Sequence, residues 1–192
     1  MVNDGRRDND RFIPALRFHW LTPLFDVVAA VAVRDRTIKR RVLRSAAIAS
    51  GEDVLDVSCG TGTLAVAAAR VGFDEGRSTA LPYADASFDV VLSTLFFHHL
   101  PDDAKRQTAA ELVRVLRRGG RLVVGNLGRP QDPLMRLAVR GTVQLLDGVA
   151  TTALGVRGEL PDLLAEAGLH GVTVRDRVRT PTGTYEIVSG GR

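Results

Sequence analysis

The chain of 192 residues has one cysteine, Cys59, and can close no disulfide within itself. The expected compartment is the reducing cytoplasm, and the polar opening MVNDGRRDND, without the apolar stretch of a secretory signal, agrees with it. Apolar runs are short and interrupted, so no segment reads as a bilayer-spanning helix. Aromatic residues are few, and the main basic run, Arg34 to Arg44, contains none, which removes the usual support for a nucleobase-stacking surface. Neither an internal repeat nor a low-complexity tract is present, and no cluster has metal-ligand spacing, so no metal is expected.

What remains is ordinary globular material, 45% hydrophobic and 25% charged. A chain of this length buries about 70% of the surface it exposes unfolded, enough for one core in one domain. The net charge of +4 is local: residues 1–50 carry ten Lys or Arg against five Asp, whereas the remainder holds sixteen against seventeen acids. The run RDRTIKRRVLR places Ile38, Val42, Leu43 and Ala46 on one helical stripe between the charges. Such a helix suits either an anionic lipid surface or the solvated outside of a core helix, and charge runs usually mean the second.

From Glu52 to Asn126 strand-like and helix-like segments alternate, which argues for an α/β fold with a mostly parallel sheet. DVLDV (53–57) and FDVVLSTL (88–95) read as buried strands. A helix capped by Asp102 or Asp103 and stopped by Gly119 and Gly120 leads into the strand RLVVGNL (121–127). Further helices are expected over 23–33, 35–48 and 133–146, and Leu160, Leu163, Leu164 and Ala167 mark another that Gly168 closes. VTVRDRV (172–178) and TYEIVSG (184–190) flank TPTG as an antiparallel terminal hairpin.

The loop Asp56, Val57, Ser58, Cys59, Gly60, Thr61, Gly62 lies between a buried strand and a helix, where backbone N–H groups and the helix dipole face a nucleotide-like ligand. Gly60 to Ala65 matches G-x-G-x-x-A, the dinucleotide fingerprint. Against a nicotinamide-dependent oxidoreductase stand the acid Asp56 at the strand end, which repels a pyrophosphate, and the lack of an acid about 20 residues further on. Cys59 inside this loop reads as packing rather than as a reactive thiol.

The segment VLDVSCGTGTLA resembles the first motif of class I S-adenosylmethionine-dependent methyltransferases, in particular the small-molecule branch of ubiquinone and menaquinone biosynthesis. LPYADASFDVVLSTLFFHHL (81–100) and ELVRVLRRGGRLVV (111–124) extend the resemblance over most of the chain. It implies a Rossmann-like sheet, S-adenosyl-L-methionine as cofactor, and methyl transfer to a small, apolar or aromatic molecule. It also implies that the glycine loop touches the methionine part, that Asp56 holds its ammonium, and that Ser93, Thr94 and Leu95 lie near the sulfonium. Residues 12–48 are then the helical lid, 52–128 the cofactor core, and 129–192 the substrate-side helix, last helix and hairpin. Trp20, Phe25 and Phe97 are expected as apolar walls.

Three departures from that pattern stand out. Ser58 replaces the family's first glycine, and Arg77, a pure donor, stands where relatives carry an acid that accepts from adenine. The junction AARVGFDEGR (68–77) leaves out about one strand-helix unit, about 30 residues, and with it the acid that grips the ribose; Asp74 or Glu75 is the expected substitute. Methyl transfer needs in-line positioning above all, and for an oxygen acceptor His98 or His99 is the available base, with His19 more remote. The other reading of the His pair is a structural link between strand and helix. The competing functional reading is a methyltransferase-like scaffold that oligomerises through the sheet edge bared by the missing unit.

Overall fold

The computed structural model describes residues 34–57 and 76–192. The expected helix over 23–33, the glycine loop from Ser58, the helix after it, Asp74, Glu75, His19, Trp20 and Phe25 lie outside the described residues.

Helix α1 (Asp35–Ala46) turns Ile38, Val42 and Ala46, all without exposure, onto the sheet. Its approach is close: a Cβ on Gly125 of the underlying strand would lie 2.7 Å from Val42 Cγ2. The basic stripe therefore belongs to the outer face of a core helix, as at Arg41, whose guanidinium donates to Asp176 at 2.5 Å. The helix ends where Arg121 donates to the carbonyls of Ala46 and Ala47 and pairs with Glu52 at 2.7 Å, satisfying groups the last turn leaves open.

Five strands follow: β1 (Val54–Val57), β2 (Phe88–Thr94), β3 (Leu116–Leu127), β4 (His170–Thr180) and β5 (Gly183–Gly191). Their order across the sheet is β1-β2-β3-β5-β4, parallel through β3 and antiparallel beyond it. The strand-helix-strand crossover runs through a short 3-10 turn (Phe97–His99) and α2 (Asp102–Val115). Among the described residues β1 pairs only with β2, so it forms one border of the sheet.

Three expectations need correction. α2 follows Pro101 at its N-cap with no side-chain cap, so Asp102 and Asp103 lie in its first turn and neither caps it. β3 begins at Leu116, not at Arg121: Leu116 is fully buried and pairs with Phe88, so the chain leaves the helix early to fill the core. Gly119 (φ 80°) and Gly120 then accommodate an irregularity in the strand rather than stop the helix. The single helix expected over 133–146 is two, α3 (Pro133–Gly141) and α4 (Val143–Asp147). They break at Thr142, whose hydroxyl donates to Ala138 O at 2.6 Å and Thr182 O at 3.2 Å. A helix not expected from the sequence, α5 (Val149–Arg157), packs Gly155 on the Leu127 carbonyl, where any Cβ would collide at 2.4 Å. The last helix, α6 (Leu160–Glu166), and the hairpin fall where the pattern put them.

The core has two halves, one on each sheet face. Leu112, Leu116, Leu122, Leu160 and Leu164 fill the side under α2 and α6. Val90, Leu92, Val123, Ile187 and Val139 fill the side under α1 and α3. Covering both faces leaves the carboxyl ends of the parallel strands as the natural place for a ligand.

Candidate active site

Strand register brings the polar ends together. Asp56 pairs with Leu92 and Val57 with Ser93, while Ser93 pairs with Val124 and Thr94 with Gly125. Asp56, Ser93 and Asn126 thus stand on three adjacent strands at one end of an otherwise apolar sheet.

Asp56 is the least satisfied group there. Both its carboxylate oxygens are buried, and neither accepts a hydrogen bond. Desolvation pushes the carboxyl up to about 6, partly opposed by the charge of Lys39. A buried carboxylate without donors costs stability unless something brings charge and N–H groups to it. An ammonium supplies both, so the residue fits the amino end of S-adenosylmethionine. The Ser93 hydroxyl, which by its pairing with Val57 lies on the opposite face of the sheet, is likewise buried without a partner. Leu95 turns the chain away at φ 56°, its N–H donating to Gly125 O at 2.7 Å.

The histidine pair sits beyond β2. His98 is buried, and its Nδ1 lies 2.8 Å from Asn126 Oδ1, so with the amide oriented this way Nδ1 carries the proton. Desolvation first, and then the neighbouring His99, bring His98 down to about 3; the Asn126 bond only partly offsets this. It is neutral, and its 4.0 Å approach to Asp147 is not an ion pair. His99 is 42% exposed, with Nδ1 3.7 Å from Asp147 Oδ1. Asp147 closes the group from the end of α4, its carboxyl raised by desolvation against the pull of His99. Donor atoms of the three lie within 4.8 Å of one another.

Sequence reasoning missed Asp147 and Asn126, because they come from α4 and β3, 48 and 28 residues after their partners His99 and His98. It also missed Lys105, buried on α2, whose ammonium donates to Asp102 at 2.8 Å and to Thr151 O at 2.7 Å and so ties α2 to α5. The one local signal was Asn126, a polar residue closing an apolar strand. Phe97, expected as a substrate-side wall, instead packs wholly inside the core among residues such as Val57, Val91 and Leu112. Of the expected cofactor residues, Asp56, Val57, Ser93, Thr94 and Leu95 share this end of the sheet; Ser58, Cys59, Gly60, Thr61 and Gly62 lie outside the described residues.

Comparison with known proteins bears on what such an edge is for. Residues 64–124 match the family model of a methyltransferase domain. A demethylmenaquinone methyltransferase of Paenarthrobacter aurescens is 31% identical over 164 residues, covering 71% of this chain and 64% of that one. These likenesses are to the class I S-adenosylmethionine-dependent methyltransferases. The chain's likeness is to the quinone-biosynthesis-like branch of that family. A 27-O-demethylrifamycin SV methyltransferase of Amycolatopsis mediterranei is 36% identical over 107 residues, 56% of this chain and 38% of that one. The chain thus spans less than two thirds of the length of either relative. In fold it is similar to a solved S-adenosylmethionine-dependent methyltransferase of Thermotoga maritima, described as a possible histamine N-methyltransferase. The TM-score is 0.64 at 19% identity, over 90% of this chain and 98% of that one. No helix of the described residues is long and apolar enough to cross a membrane.

Proposed function

We propose that the protein binds S-adenosyl-L-methionine and transfers its methyl group to a small, apolar or aromatic acceptor. The observation that carries this reading is the Asp56 carboxylate, buried and without a hydrogen-bond donor at the carboxyl end of β1. In this role Asp56 holds the cofactor's ammonium, Val57 and the loop of Ser58, Cys59, Gly60, Thr61 and Gly62 approach the methionine part, and Ser93, Thr94 and Leu95 border the sulfonium. Asp74 or Glu75 stands in for the ribose-gripping acid, and Trp20 and Phe25 keep water from the acceptor.

When bound, the cofactor supplies an electrophilic methyl on a sulfonium, which leaves as a neutral thioether. The residues need only align the acceptor and take its proton. His99, partly exposed beside Asp147, is the base for an oxygen acceptor; Asp147 orients the ring and stabilises the positive charge it gains. His98, neutral and fixed by Asn126, is a positioning residue under the His99 ring, with centroids 4.0 Å apart. Relatives that act on demethylmenaquinone and 27-O-demethylrifamycin SV support a small-molecule acceptor. Differential scanning fluorimetry with S-adenosylhomocysteine tests the reading: a melting temperature that climbs with ligand is expected, and no shift at millimolar ligand overturns it.

The scaffold reading has one observation in its favour, the outer border of β1, which has no strand partner among the described residues. It expects self-association unaffected by S-adenosylhomocysteine and no thermal shift.

A further inference from the structure

We infer that α3, α4 and the start of α5 form a docking surface for an anionic phospholipid bilayer. On α3, Met135 and Val139 point into the core, and Leu137 occupies the position nearly opposite them, 68% exposed. The neighbouring helices continue the pattern, with Leu145 76% and Val149 66% exposed. An amphipathic helix that only covers a core has polar residues at these positions; here the outward ridge is aliphatic on three successive short helices.

Charge selects the occupant. Arg129, Arg136 and Arg140 border a groove of about 720 Å³ that Val139, Leu145 and Val149 help to line. The acids of α3 and α4 face elsewhere: Asp132 accepts from the Met135 N–H and pairs with Arg179, and Asp147 faces the histidines. The groove is thus lined by aliphatic side chains and three arginines, with Gln144 and no acidic residue among them. This arrangement complements a phosphate headgroup above an acyl chain, with arginine stems lying along the apolar surface and guanidiniums at headgroup level. A second copy of the same face fits poorly, because an isologous pairing brings six arginines together. A protein partner fits less well than lipid, because the ridge has no aromatic anchor and its leucines protrude.

The test is co-sedimentation of the full chain with vesicles of phosphatidylcholine alone and of phosphatidylcholine mixed with phosphatidylglycerol. Binding to the anionic vesicles is expected, with Arg136→Gln/Arg140→Gln weakening it roughly 25-fold, about fivefold per arginine. Leu137→Asp/Leu145→Asp should weaken it at least about tenfold. Both pairs are solvent-exposed, so unchanged urea midpoints are the control for folding. Equal binding to both vesicle types, indifference to either double variant, or no binding at all overturns the inference. So does a self-association in sedimentation velocity that the leucine pair abolishes while vesicle binding stays absent.

Discussion

Replacing Asp56 by Asn should make the protein more stable and less able to bind its cofactor. The carboxyl is raised from 3.8 to about 6, chiefly by desolvation. About two units at 1.36 kcal/mol each is about 3 kcal/mol, an upper figure for what the ionised side chain costs the ligand-free fold. The sign is that of a raised acid: below about pH 4 both folded and unfolded states hold the proton and the cost is absent. It grows as pH rises between the two values and is complete above about pH 6. Asn removes the charge but keeps a polar amide without a partner, so about 1–2 kcal/mol of net gain is the realistic figure. Urea unfolding of both proteins at pH 8 and pH 4 measures it: the Asn variant should have the higher midpoint at pH 8 and lose that advantage at pH 4. Its affinity for S-adenosylhomocysteine should fall about ten- to hundredfold with the lost charged hydrogen bond. A variant less stable at pH 8, or a difference independent of pH, would refute the claim that this carboxylate lacks donors until ligand arrives.

Three further outcomes follow from the packing and the charges. Gly125→Val should lower the urea midpoint by about 1–3 kcal/mol of stability or more, because its side chain enters the space of Val42 and Ile38. Arg121→Ala removes the α1 cap together with the Glu52 partner, whose hydrogen bond is the main cause holding that carboxyl near 2. Side-chain NMR titration should find Glu52 returned toward the ordinary carboxylate range, with about 1 kcal/mol of stability lost. His98 is lowered to about 3, so the unfolded state gains a proton below about pH 6.5 that the folded state refuses. Stability present above that pH is lost as pH falls toward 3, and His98→Gln should flatten this part of the profile in urea titrations.

The fold was legible where burial and turn chemistry coincide. Val90 to Leu92 and Leu122 to Val124 are continuous buried apolar segments, and TPTG punctuates the hairpin, so those strands followed from composition. Gly119 and Gly120 misled because a glycine pair after a helical stripe ordinarily ends a helix, whereas here the buried Leu116 had already started the strand. VATTALGVR lacks a helical stripe and is rich in β-branched residues. Its helix α5 depends on tertiary contact, with Gly155 against Leu127 and the buried Thr152 hydroxyl donating to Gly148 O at 2.7 Å. The site was legible only along the chain: Asp56, Ser93 and the histidines announce themselves by strand-end position. Asp147 and Asn126 join the histidines only in the folded chain, from α4 and from the end of β3, which no local pattern encodes.

The most direct measurement of the central claim is the affinity for S-adenosylhomocysteine by isothermal titration calorimetry across pH 5 to 8. If the ionised Asp56 receives the ligand's ammonium, affinity rises with pH up to an inflection near 6 and is level above it, and the Asn variant lacks the inflection. Binding that is independent of pH in both proteins, or no binding heat at millimolar ligand, would contradict the account.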